Sequence, residues 1–400
     1  MRSKPVRINL LYTNIGRGHP SYLDGIVEAM VRRGRIGLVR AQTDVFTIST
    51  GLSQMGWRTA RWTYQRGSSP GFIGSWYSRL RRRAQYTRRS PMLQLMAKSV
   101  RRHFMADLDP LVLAHPSLVA MLRGRSELIY QHGELAVPGE ALVSGASIVY
   151  VPTNEAADAF VAGGYDRSSV VVTGLCVEPA LVRQAPEALE LRLQRIKSRE
   201  ALTGAFFSSG AEPSDHVRTI VQSAISSISR GKRALIFAKS GGKLAEAALG
   251  ALVRAGVEFE IVDRRGQAPR DLPEALLVLH SNRREENALT ARFFPLCDFF
   301  VAPAHERTNW ALGLGWPMFV VGPEKGSFAP LNCDILMACG VARYLDGPDA
   351  SRGFGLTLDT VQSDGTLIEM ARAGWGRFAI DGFDRIVDHL GQTYGDGTAR

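Results

Sequence analysis

The sequence predicts an α/β protein made of two Rossmann-like, doubly wound domains, each built on a parallel sheet. Short apolar runs typical of buried strands alternate with helix-length segments, beginning with the run at 6–13. The chain has 400 residues and 45% hydrophobic content, which is more than a single core normally holds. Two domains are therefore the simplest organisation.

The predicted elements of the first half begin with a strand at 6–13, a glycine-rich turn and a helix at 21–32. Further strands of buried character follow at 111–114, 127–130, 147–151 and 169–173. A second series of strands lies at 204–210, 234–238, 258–262, 276–279, 299–302 and 317–321. In each series, strands alternate with helix-length segments as in βα units, which predicts one parallel sheet in each half of the chain.

The domain boundaries follow from changes in composition along the chain. We expect an N-terminal domain at 1–185, which carries an insertion at 46–106, and a C-terminal domain at 202–372. The segment 186–201 is rich in charge and has no strand signal, which is typical of a linker. The segment 373–400 predicts a tail with an amphipathic helix that could pack on either domain.

Positive charge is concentrated in the insertion 46–106, which has twelve Lys or Arg residues and no Asp or Glu. The net charge of the chain is +11, so the rest of the sequence is close to neutral. The four cysteines lie far apart without paired spacing, which argues against a zinc ribbon or a disulfide framework and fits a reducing cytoplasm. No apolar stretch reaches the roughly 18 residues that span a bilayer, so we expect any membrane contact to be peripheral.

The loop 14–20 follows the first predicted strand and is the first candidate for function. Gly16 and Gly18 let the backbone approach a ligand closely, while Pro20 suits a first helical turn. His19 then stands at the positive end of a helix, a position that favours the neutral form of an imidazole and so suits a general base. The alternative interpretation is a tight turn whose histidine serves only as a cap.

Two more loops that follow predicted strands carry acid–base residues. His115 precedes Pro116 after the strand at 111–114, and the loop after 127–130 contributes His132 and Glu134. Ligands bind at the carboxyl ends of parallel strands, so we expect the loops with His19, His115 and Glu134 to converge on a cleft. A structural role for each histidine taken alone stays open.

The second half offers phosphate-binding turns. Ser209 and Gly210 follow a strand, and their backbone N–H groups are suited to an anion, as are those of the basic glycine turn 239–243. The most specific stretch is 294–323, in which a strand, a polar turn, a short helix and a second strand occur in close succession.

Four motifs carry a family resemblance: Gly16-Arg-Gly-His19-Pro20, Asp109-Pro-Leu-Val-Leu-Ala-His115-Pro116, the run 149–179, and the run from Cys297 to Pro317. Together they resemble the GT-B glycosyltransferases. The closest branch contains monogalactosyldiacylglycerol synthase, the processive diacylglycerol glucosyltransferases and the lipid II-forming N-acetylglucosaminyltransferase. The likeness covers most of residues 6–345.

The resemblance implies two Rossmann-like domains that face a cleft, and the transfer of a hexose from a nucleotide diphosphate sugar, with a UDP-sugar as the expected donor and no cofactor. No carboxylate pair in the sequence suggests a metal site, so we expect the transfer to be metal-independent. The resemblance also implies that His19 acts as base or orients the acceptor, with His115 and Glu134 on the acceptor side. The residues expected to bind the donor are Gly16, Gly18, Ser209, Gly210, His305, Glu306, Arg307, Thr308 and Asn332.

Two departures from the family pattern concern the donor side. The family has a glutamate that binds the ribose hydroxyls where this chain has Trp310, and often a glutamine where this chain has Phe328. Glu306 is one hypothesis for a replacement ribose ligand, with Arg307 or His305 facing the diphosphate.

The basic insertion predicts a surface for an anionic partner. Its aromatic and basic residues suit the headgroup level of an anionic membrane, where a lipid acceptor would be admitted. The residues that we expect at this surface are Trp57, Arg61, Trp62, Trp76, Arg81, Arg82 and Arg83. The alternatives are a solvated basic face and a groove for single-stranded nucleic acid, although the sequence has no recognised nucleic-acid module.

The sequence thus predicts a cytoplasmic glycosyltransferase, peripheral to the inner face of the membrane, that acts on a lipid or other hydrophobic acceptor. A sugar-nucleotide epimerase with the same fold is an alternative, as is a binding protein that has lost its donor chemistry. The sugar, the nucleotide base, the stereochemistry and the oligomeric state stay open.

Overall fold

The computed structural model describes residues 6–67, 91–266, 269 and 271–395. These residues form two compact units. Unit 1 contains 6–67, 91–179 and 379–395, and unit 2 contains the described residues between 180 and 378.

The strands of the described residues are short and mostly buried. In chain order they are β1 (Ile8–Tyr12), β2 (Val39–Asp44), β3 (Leu111–Leu113), β4 (Leu128–Gln131), β5 (Ile148–Val151), β6 (Val170–Val172), β7 (Thr203–Phe207), β8 (Arg233–Lys239), β9 (Phe259–Val262), β10 (Ala275–His280), β11 (Phe299–Ala302), β12 (Met318–Val321) and β13 (Ala342–Leu345).

The α-helices alternate with these strands. In chain order they are α1 (Gly18–Arg32), α2 (Val45–Ile48), α3 (Gly51–Gly67), α4 (Pro91–Phe104), α5 (Pro116–Met121), α6 (Asn154–Ala162), α7 (Pro179–Lys197), α8 (Ser214–Ile228), α9 (Lys243–Ala255), α10 (Arg283–Phe293), α11 (Thr308–Gly313), α12 (Phe328–Ala338), α13 (Gly347–Arg352), α14 (Phe354–Ser363), α15 (Thr366–Gly374) and α16 (Gly382–Tyr394).

Each unit is built around one parallel sheet. Over the described residues, the sheet of unit 1 has the strand order β2-β1-β3-β4-β5-β6, and the sheet of unit 2 has the order β13-β12-β11-β7-β8-β10-β9. The central strands are almost wholly apolar, as expected when helices cover both faces of a parallel sheet. The prediction of an α/β protein with two doubly wound, Rossmann-like domains is confirmed.

Two strands lie outside the sequence prediction, and both are at sheet edges. The β2 strand has the sequence Val-Arg-Ala-Gln-Thr-Asp, which contains no apolar run, and the strand is only partly buried. The β13 strand has four residues, two of which are not fully buried. Edge strands have a single neighbour in the sheet, so they need less apolar side-chain surface than central strands.

The predicted linker 186–201 is largely helical, because α7 extends to Lys197. Most of its charged residues are exposed, but one of them is buried. Arg192 is fully buried, and its guanidinium donates to the carbonyl oxygens of Cys297 (3.1 Å) and Gly315 (2.8 Å). The division between the units falls at the start of α7 rather than within 186–201.

The C-terminal helix α16 belongs to unit 1, although the chain reaches it from unit 2. Phe383, Ile386, Val387 and Leu390 of this helix are buried in a core that also contains residues of β1 and α1. A Cβ atom on Gly25 of α1 would lie 2.2 Å from the ring of Phe383, so glycine is required where the two helices meet. The predicted tail 373–400 is thus divided between the two units.

Candidate functional site

The sheet of unit 1 has a topological switch point between β1 and β3. From β1 the chain forms β2 on one side and then β3 on the other side, so the direction of winding reverses there. In open α/β sheets, ligands bind outside the carboxyl ends of the strands at such a point. The loops that leave β1 and β3 carry His19 and His115, so the strand order places both residues where a ligand is expected.

The loop after β1 presents His19 at the start of a helix. Gly16 has a φ of +74°, which favours glycine, and α1 begins at Gly18, so that His19 lies in its first turn. Ser21 closes the turn, because its hydroxyl donates to the carbonyl oxygen of Arg17 at 2.9 Å. The first turn of α1, which the structure describes in full, has no acidic residue. The helix dipole therefore acts on His19 without a neighbouring carboxylate in that turn.

The imidazoles of His19 and His115 are in contact. Their ring centroids lie 4.5 Å apart with the planes tilted by 60°, and both residues are partly exposed. The Nδ1 atom of His115 accepts from the backbone N–H of Ser117 at 3.1 Å and lies 2.8 Å from its hydroxyl. A backbone N–H can only donate, so in the neutral ring of His115 the proton is on Nε2. His115 therefore offers a hydrogen-bond donor at Nε2.

The loop after β4 adds a third imidazole, that of His132, near His19. His132 is buried, its Nε2 donates to the carbonyl oxygen of Ala136 at 3.2 Å, and the rings of Tyr130 and Phe160 pack against it. Burial, with a smaller contribution from the nearby charge of His19, lowers the pKa of His132 to about 3. Glu134 is buried in the same loop. The three predicted loops follow the neighbouring strands β1, β3 and β4, so they do come together at one sheet edge.

Arg17 and Glu178 are further candidate residues at this edge that sequence reasoning did not select. Arg17 is buried at the N-terminus of α1, and its Nη2 lies 4.0 Å from Oε1 of Glu178, which follows β6. The sequence could have indicated Arg17, because this residue lies between Gly16 and Gly18 of the predicted ligand loop. The described residues contain no group of three His, Cys, Asp or Glu side chains arranged to hold a metal ion.

Unit 2 has its own switch point between β7 and β11. The chain forms β8, β9 and β10 on one side of β7, and β11 to β13 on the other side. The loop after β7 contains Ser209, which is partly exposed, and Gly210, which is exposed. The loop after β11 contains His305 and Glu306, which are partly exposed. These four predicted donor residues therefore follow adjacent strands.

Arg307 is directed into the interior of unit 2. Only 2% of its surface is exposed, it forms an ion pair with Glu286, and its Nη1 donates to the carbonyl oxygen of Ser208 at 3.1 Å. Its guanidinium carbon lies 4.6 Å from the ring centroid of Phe207 and 5.5 Å from that of Trp310. The predicted phosphate contact of Arg307 requires its charge at the surface of the loop, whereas the structure pairs that charge inside the unit.

Three other positions of the predicted donor site are also buried. Thr308 is fully buried, and the amide of Asn332 donates to the carbonyl oxygen of Ala304 at 3.2 Å, which anchors the loop after β11. Trp310 stands where the resembled family has its ribose-binding glutamate, and it stacks on Trp316 with the ring centroids 5.4 Å apart. The position that would carry a ribose ligand is therefore part of an aromatic core.

The predicted membrane residues are divided between the interior and the surface. Trp57 is 2% exposed, and its Nε1 donates to the carbonyl oxygen of Met96 at 3.2 Å, so it holds α3 against α4 and is not available to a membrane. The guanidinium carbon of Arg61 lies 3.7 Å from the ring centroid of Phe46, and its Nη2 donates to the carbonyl oxygen of Asn14 at 3.0 Å. Trp62 is 51% exposed.

The remaining predicted membrane residues lie outside the described residues; they are Trp76, Arg81, Arg82 and Arg83. Among the helices that the structure describes, none has both the length and the apolar character that crossing a membrane requires.

Comparison with solved structures gives matches over nearly the whole chain. A Listeria monocytogenes protein to which UDP-N-acetylglucosamine 2-epimerase activity is ascribed has a TM-score of 0.57 at 10% identity, with 98% of each chain covered. The S. aureus MnaA–UDP complex has a TM-score of 0.54 at 12% identity, over 98% of this chain and 97% of that chain. The chain shares their fold.

A third match, a UDP-N-acetylglucosamine 2-epimerase, has a TM-score of 0.51 at 10% identity, over 98% of this chain and 97% of that chain. At these low sequence identities the similarity shows the fold alone, and this fold agrees with the predicted GT-B pair of Rossmann-like domains. No protein-family model matches the chain, and no curated protein matches it by sequence.

Proposed function

We propose that the protein is an enzyme that transfers a hexose from a UDP-sugar to a hydroxyl group of an acceptor. The observation that carries the proposal is the contact of His19 with His115 at the switch point of unit 1. Two partly exposed imidazoles at the ligand-binding edge of a Rossmann-like unit are suited to taking a proton from a hydroxyl group and orienting it. The fold shared with a protein that was solved with UDP supports a uridine nucleotide as the donor.

In the proposed reaction, the acceptor oxygen forms a bond to the anomeric carbon while the bond from that carbon to the phosphate oxygen breaks. UDP leaves with the electron pair of the broken bond, and the acceptor proton passes to His19. His115 donates from Nε2 and orients the acceptor, since its Nδ1 is engaged by Ser117. In unit 2, the backbone N–H groups near Ser209 and Gly210 are suited to binding a diphosphate, and the proposed reaction requires no metal ion.

The test is the release of UDP from UDP-glucose and UDP-N-acetylglucosamine in the presence of a panel of lipid and soluble acceptors. We expect His19→Ala to lower the rate by about a hundredfold or more, the usual contribution of a general base. His103→Ala is the matched control, because His103 is an exposed histidine of α4. Equal rates for the wild type and His19→Ala would remove His19 from the mechanism.

A second candidate reaction is the 2-epimerisation of UDP-N-acetylglucosamine. It is favoured by the activity named for the structurally similar proteins and by the carboxylates Glu134 and Glu178 of unit 1. The distinguishing assay omits any acceptor and follows the configuration at C2 of the sugar by NMR. Inversion at C2 without an acceptor would establish the epimerase, and transfer only with an acceptor would establish the transferase.

We also propose that the acceptor is a lipid at an anionic membrane surface. Exposed apolar side chains on α3 and α4 support this proposal; they are Leu52, Met55, Trp62 and Met92. Exposed cations of the same helices, among them Arg58 and Lys98, have no acidic neighbour in sequence between 46 and 106. Apolar and basic side chains together are typical of surfaces that bind anionic lipid.

A further inference from the structure

The loop that carries His19 is contacted by a side chain of α3. The Nη2 atom of Arg61 donates a hydrogen bond to the carbonyl oxygen of Asn14 at 3.0 Å. Asn14 follows β1 and precedes Gly16, where the loop turns with a positive φ. Helix α1 begins at Gly18, and His19 lies in its first turn. A contact at Asn14 therefore acts on the segment that places the imidazole.

The guanidinium of Arg61 also lies over an aromatic ring. Its carbon is 3.7 Å from the ring centroid of Phe46, which is within the range of a cation–π contact. Phe46 packs against Trp57, with the ring centroids 6.3 Å apart and the planes at 62°. Trp57 and Arg61 are four residues apart on α3, so both project from the same face of the helix. The ring of Phe46 therefore lies against one face of α3.

The strand pairing explains why one arginine reaches both contacts. β1 and β2 are neighbours in the sheet, and their last paired residues are Tyr12 and Asp44. Asn14 and Phe46 each stand two residues beyond this pair, where the two parallel strands end. Neighbouring strands lie about 4.8 Å apart, so a side chain of α3 that covers these strand ends can contact both residues.

The contacts of Arg61 are with unit 1 itself. Its Nε atom is buried, and its guanidinium faces a ring and a backbone carbonyl group of the protein. By contrast Trp62, the next residue of α3, is 51% exposed. Ile15 of the loop packs against the core that contains Trp57, so the loop and α3 also share apolar contacts. Arg61 is thus part of the packing between α3 and the loop after β1.

We propose that Arg61 is a positioning residue, which fixes the loop after β1 and so places His19 to take the acceptor proton. The inference rests on the proposed function, in which His19 is the base. A base must lie within hydrogen-bond reach of the proton that it takes, and a displacement of about 1 Å can lower the rate about a hundredfold. Arg61 acts through the position of His19, so its effect on the rate should disappear when His19 is removed.

A double-variant cycle tests this dependence on His19. It compares the rate of UDP release, with a donor and an acceptor that the wild type uses, for the wild type, Arg61→Met, His19→Ala and the protein with both changes. We expect Arg61→Met alone to lower the rate about tenfold or more. In the His19→Ala protein the same change should lower the rate by less than about twofold, because the group that Arg61 positions is already absent.

Arg123→Met is the matched control. The Nε atom of Arg123 donates to the carbonyl oxygen of Ser144 at 3.2 Å, so this variant also loses a hydrogen bond from an arginine to a backbone carbonyl group. Arg123 precedes β4 and Ser144 precedes β5, so both lie on the side of the parallel sheet where the strands begin, whereas His19 lies where β1 ends. Arg123→Met should leave the rate close to that of the wild type.

Amide hydrogen exchange tests the same contact without turnover. Exchange in peptides that cover 13–19 should be faster in Arg61→Met than in the wild type and unchanged in Arg123→Met, because the loop opens more easily without its hydrogen bond to Arg61. Thermal unfolding shows that each variant is folded. If Arg61→Met does not fold, Phe46→Leu takes its place in both measurements, because it removes the ring under the guanidinium and keeps an apolar side chain.

The outcomes separate the inference from the proposed function. An equal loss of rate from Arg61→Met with and without His19, no loss at all, or unchanged exchange at 13–19 would overturn the inference, while a loss caused by His19→Ala would still support the proposed function. A His19→Ala protein as active as the wild type would remove the base and the inference together. A wild type that releases no UDP would overturn the proposed function, and hydrogen exchange would still decide whether Arg61 holds the loop.

Discussion

The charge of Arg307 lies inside unit 2, where it is paired with Glu286 and lies over the rings of Phe207 and Trp310. Removing one member of such a buried pair leaves the other charge uncompensated, which costs about 3–5 kcal/mol. We therefore expect Arg307→Met to lower the free energy of unfolding by about this amount, measured by urea denaturation followed through tryptophan fluorescence.

The double variant Arg307→Met/Glu286→Leu is the control for this pair. Replacing both charges removes the uncompensated carboxylate, so part of the lost stability should return. If the single variant were as stable as the wild type, the buried pair would not hold the loop after β11 in place.

His132 makes the stability of unit 1 sensitive to acid. Its pKa is about 3 in the folded protein, against 6.5 for an ordinary histidine. At pH 7 the ring is neutral in both states, and below pH 6.5 the unfolded chain takes up a proton that the folded protein does not. Stability is therefore lost as the pH falls from 6.5 towards 3, by about 2 kcal/mol at pH 5 from this residue alone.

The measurement is the urea midpoint of the wild type and of His132→Gln between pH 7 and pH 5. Glutamine does not titrate, so the variant should lose less stability than the wild type over this range, whatever its stability at pH 7. Parallel curves for the two proteins would show that His132 is not kept neutral by burial.

For single residues, the sequence identifies candidate functional side chains, but it does not show whether each side chain is buried in the protein or exposed at its surface. Trp57 and Trp62 are five positions apart on α3, so they project about 140° apart around the helix. One packs on α4 and the other is exposed, and the sequence does not show which face α4 covers. Arg307 is a similar case, because its partner Glu286 lies 21 residues earlier, on α10, and no local pattern in the sequence pairs the two.

Helix α16 shows how an element far along the chain completes the core of unit 1. The hydrophobic pattern predicts the helix, but an amphipathic helix does not specify the partner that its apolar face contacts. Phe383 is buried against Gly25 of α1. We expect Phe383→Ala to cost about 3–5 kcal/mol in the unfolding of unit 1, as for other buried phenylalanines.

The matched control for Phe383 is Gln392→Ala, on the exposed face of the same helix, which should change stability by less than about 0.5 kcal/mol. Equal stability of the two variants in urea denaturation would mean that α16 is not part of the unit 1 core.

Helices α3 and α4 form the element through which we expect the protein to bind membranes. Leu52 and Met55 are exposed on α3. Burying them in the lipid interface contributes about 1.5–3 kcal/mol for each side chain. The double variant Leu52→Ser/Met55→Ser should therefore bind vesicles of anionic phospholipid at least tenfold more weakly in a sedimentation assay.

The matched control for this surface is Leu249→Ser/Val253→Ser, which removes two exposed apolar side chains from α9 in unit 2. Equal losses in both variants would argue against a specific membrane surface on α3 and α4. If the wild type did not bind vesicles but bound single-stranded nucleic acid, the result would favour nucleic acid as the anionic partner.

For the molecule as a whole, the sequence predicts the class of fold and most of the strands, but not the order of the strands. The central strands are apolar and easily identified, whereas β2 is a polar edge strand. Without β2 the sheet of unit 1 has no reversal next to β1, so the switch point cannot be located from the apolar pattern alone. His19 and His115 could be proposed as candidates from their loops, and their contact follows from the pairing of β1 with β3.

The donor side could be predicted less well, because its most specific motif departs from the resembled family. The loop after β11 keeps its place in the sheet, but Arg307 and Trp310 have become parts of the interior.

The central claim is that the chain binds a nucleotide sugar, and calorimetric titration with UDP, GDP, CDP and dTDP tests it most directly. His19→Ala serves as a control that leaves the predicted donor residues of unit 2 unchanged. The account predicts that UDP binds the wild type and His19→Ala with similar affinity and more tightly than the other three nucleotides. A folded protein that binds none of the four would contradict the account and would favour a binding protein that has lost its donor chemistry.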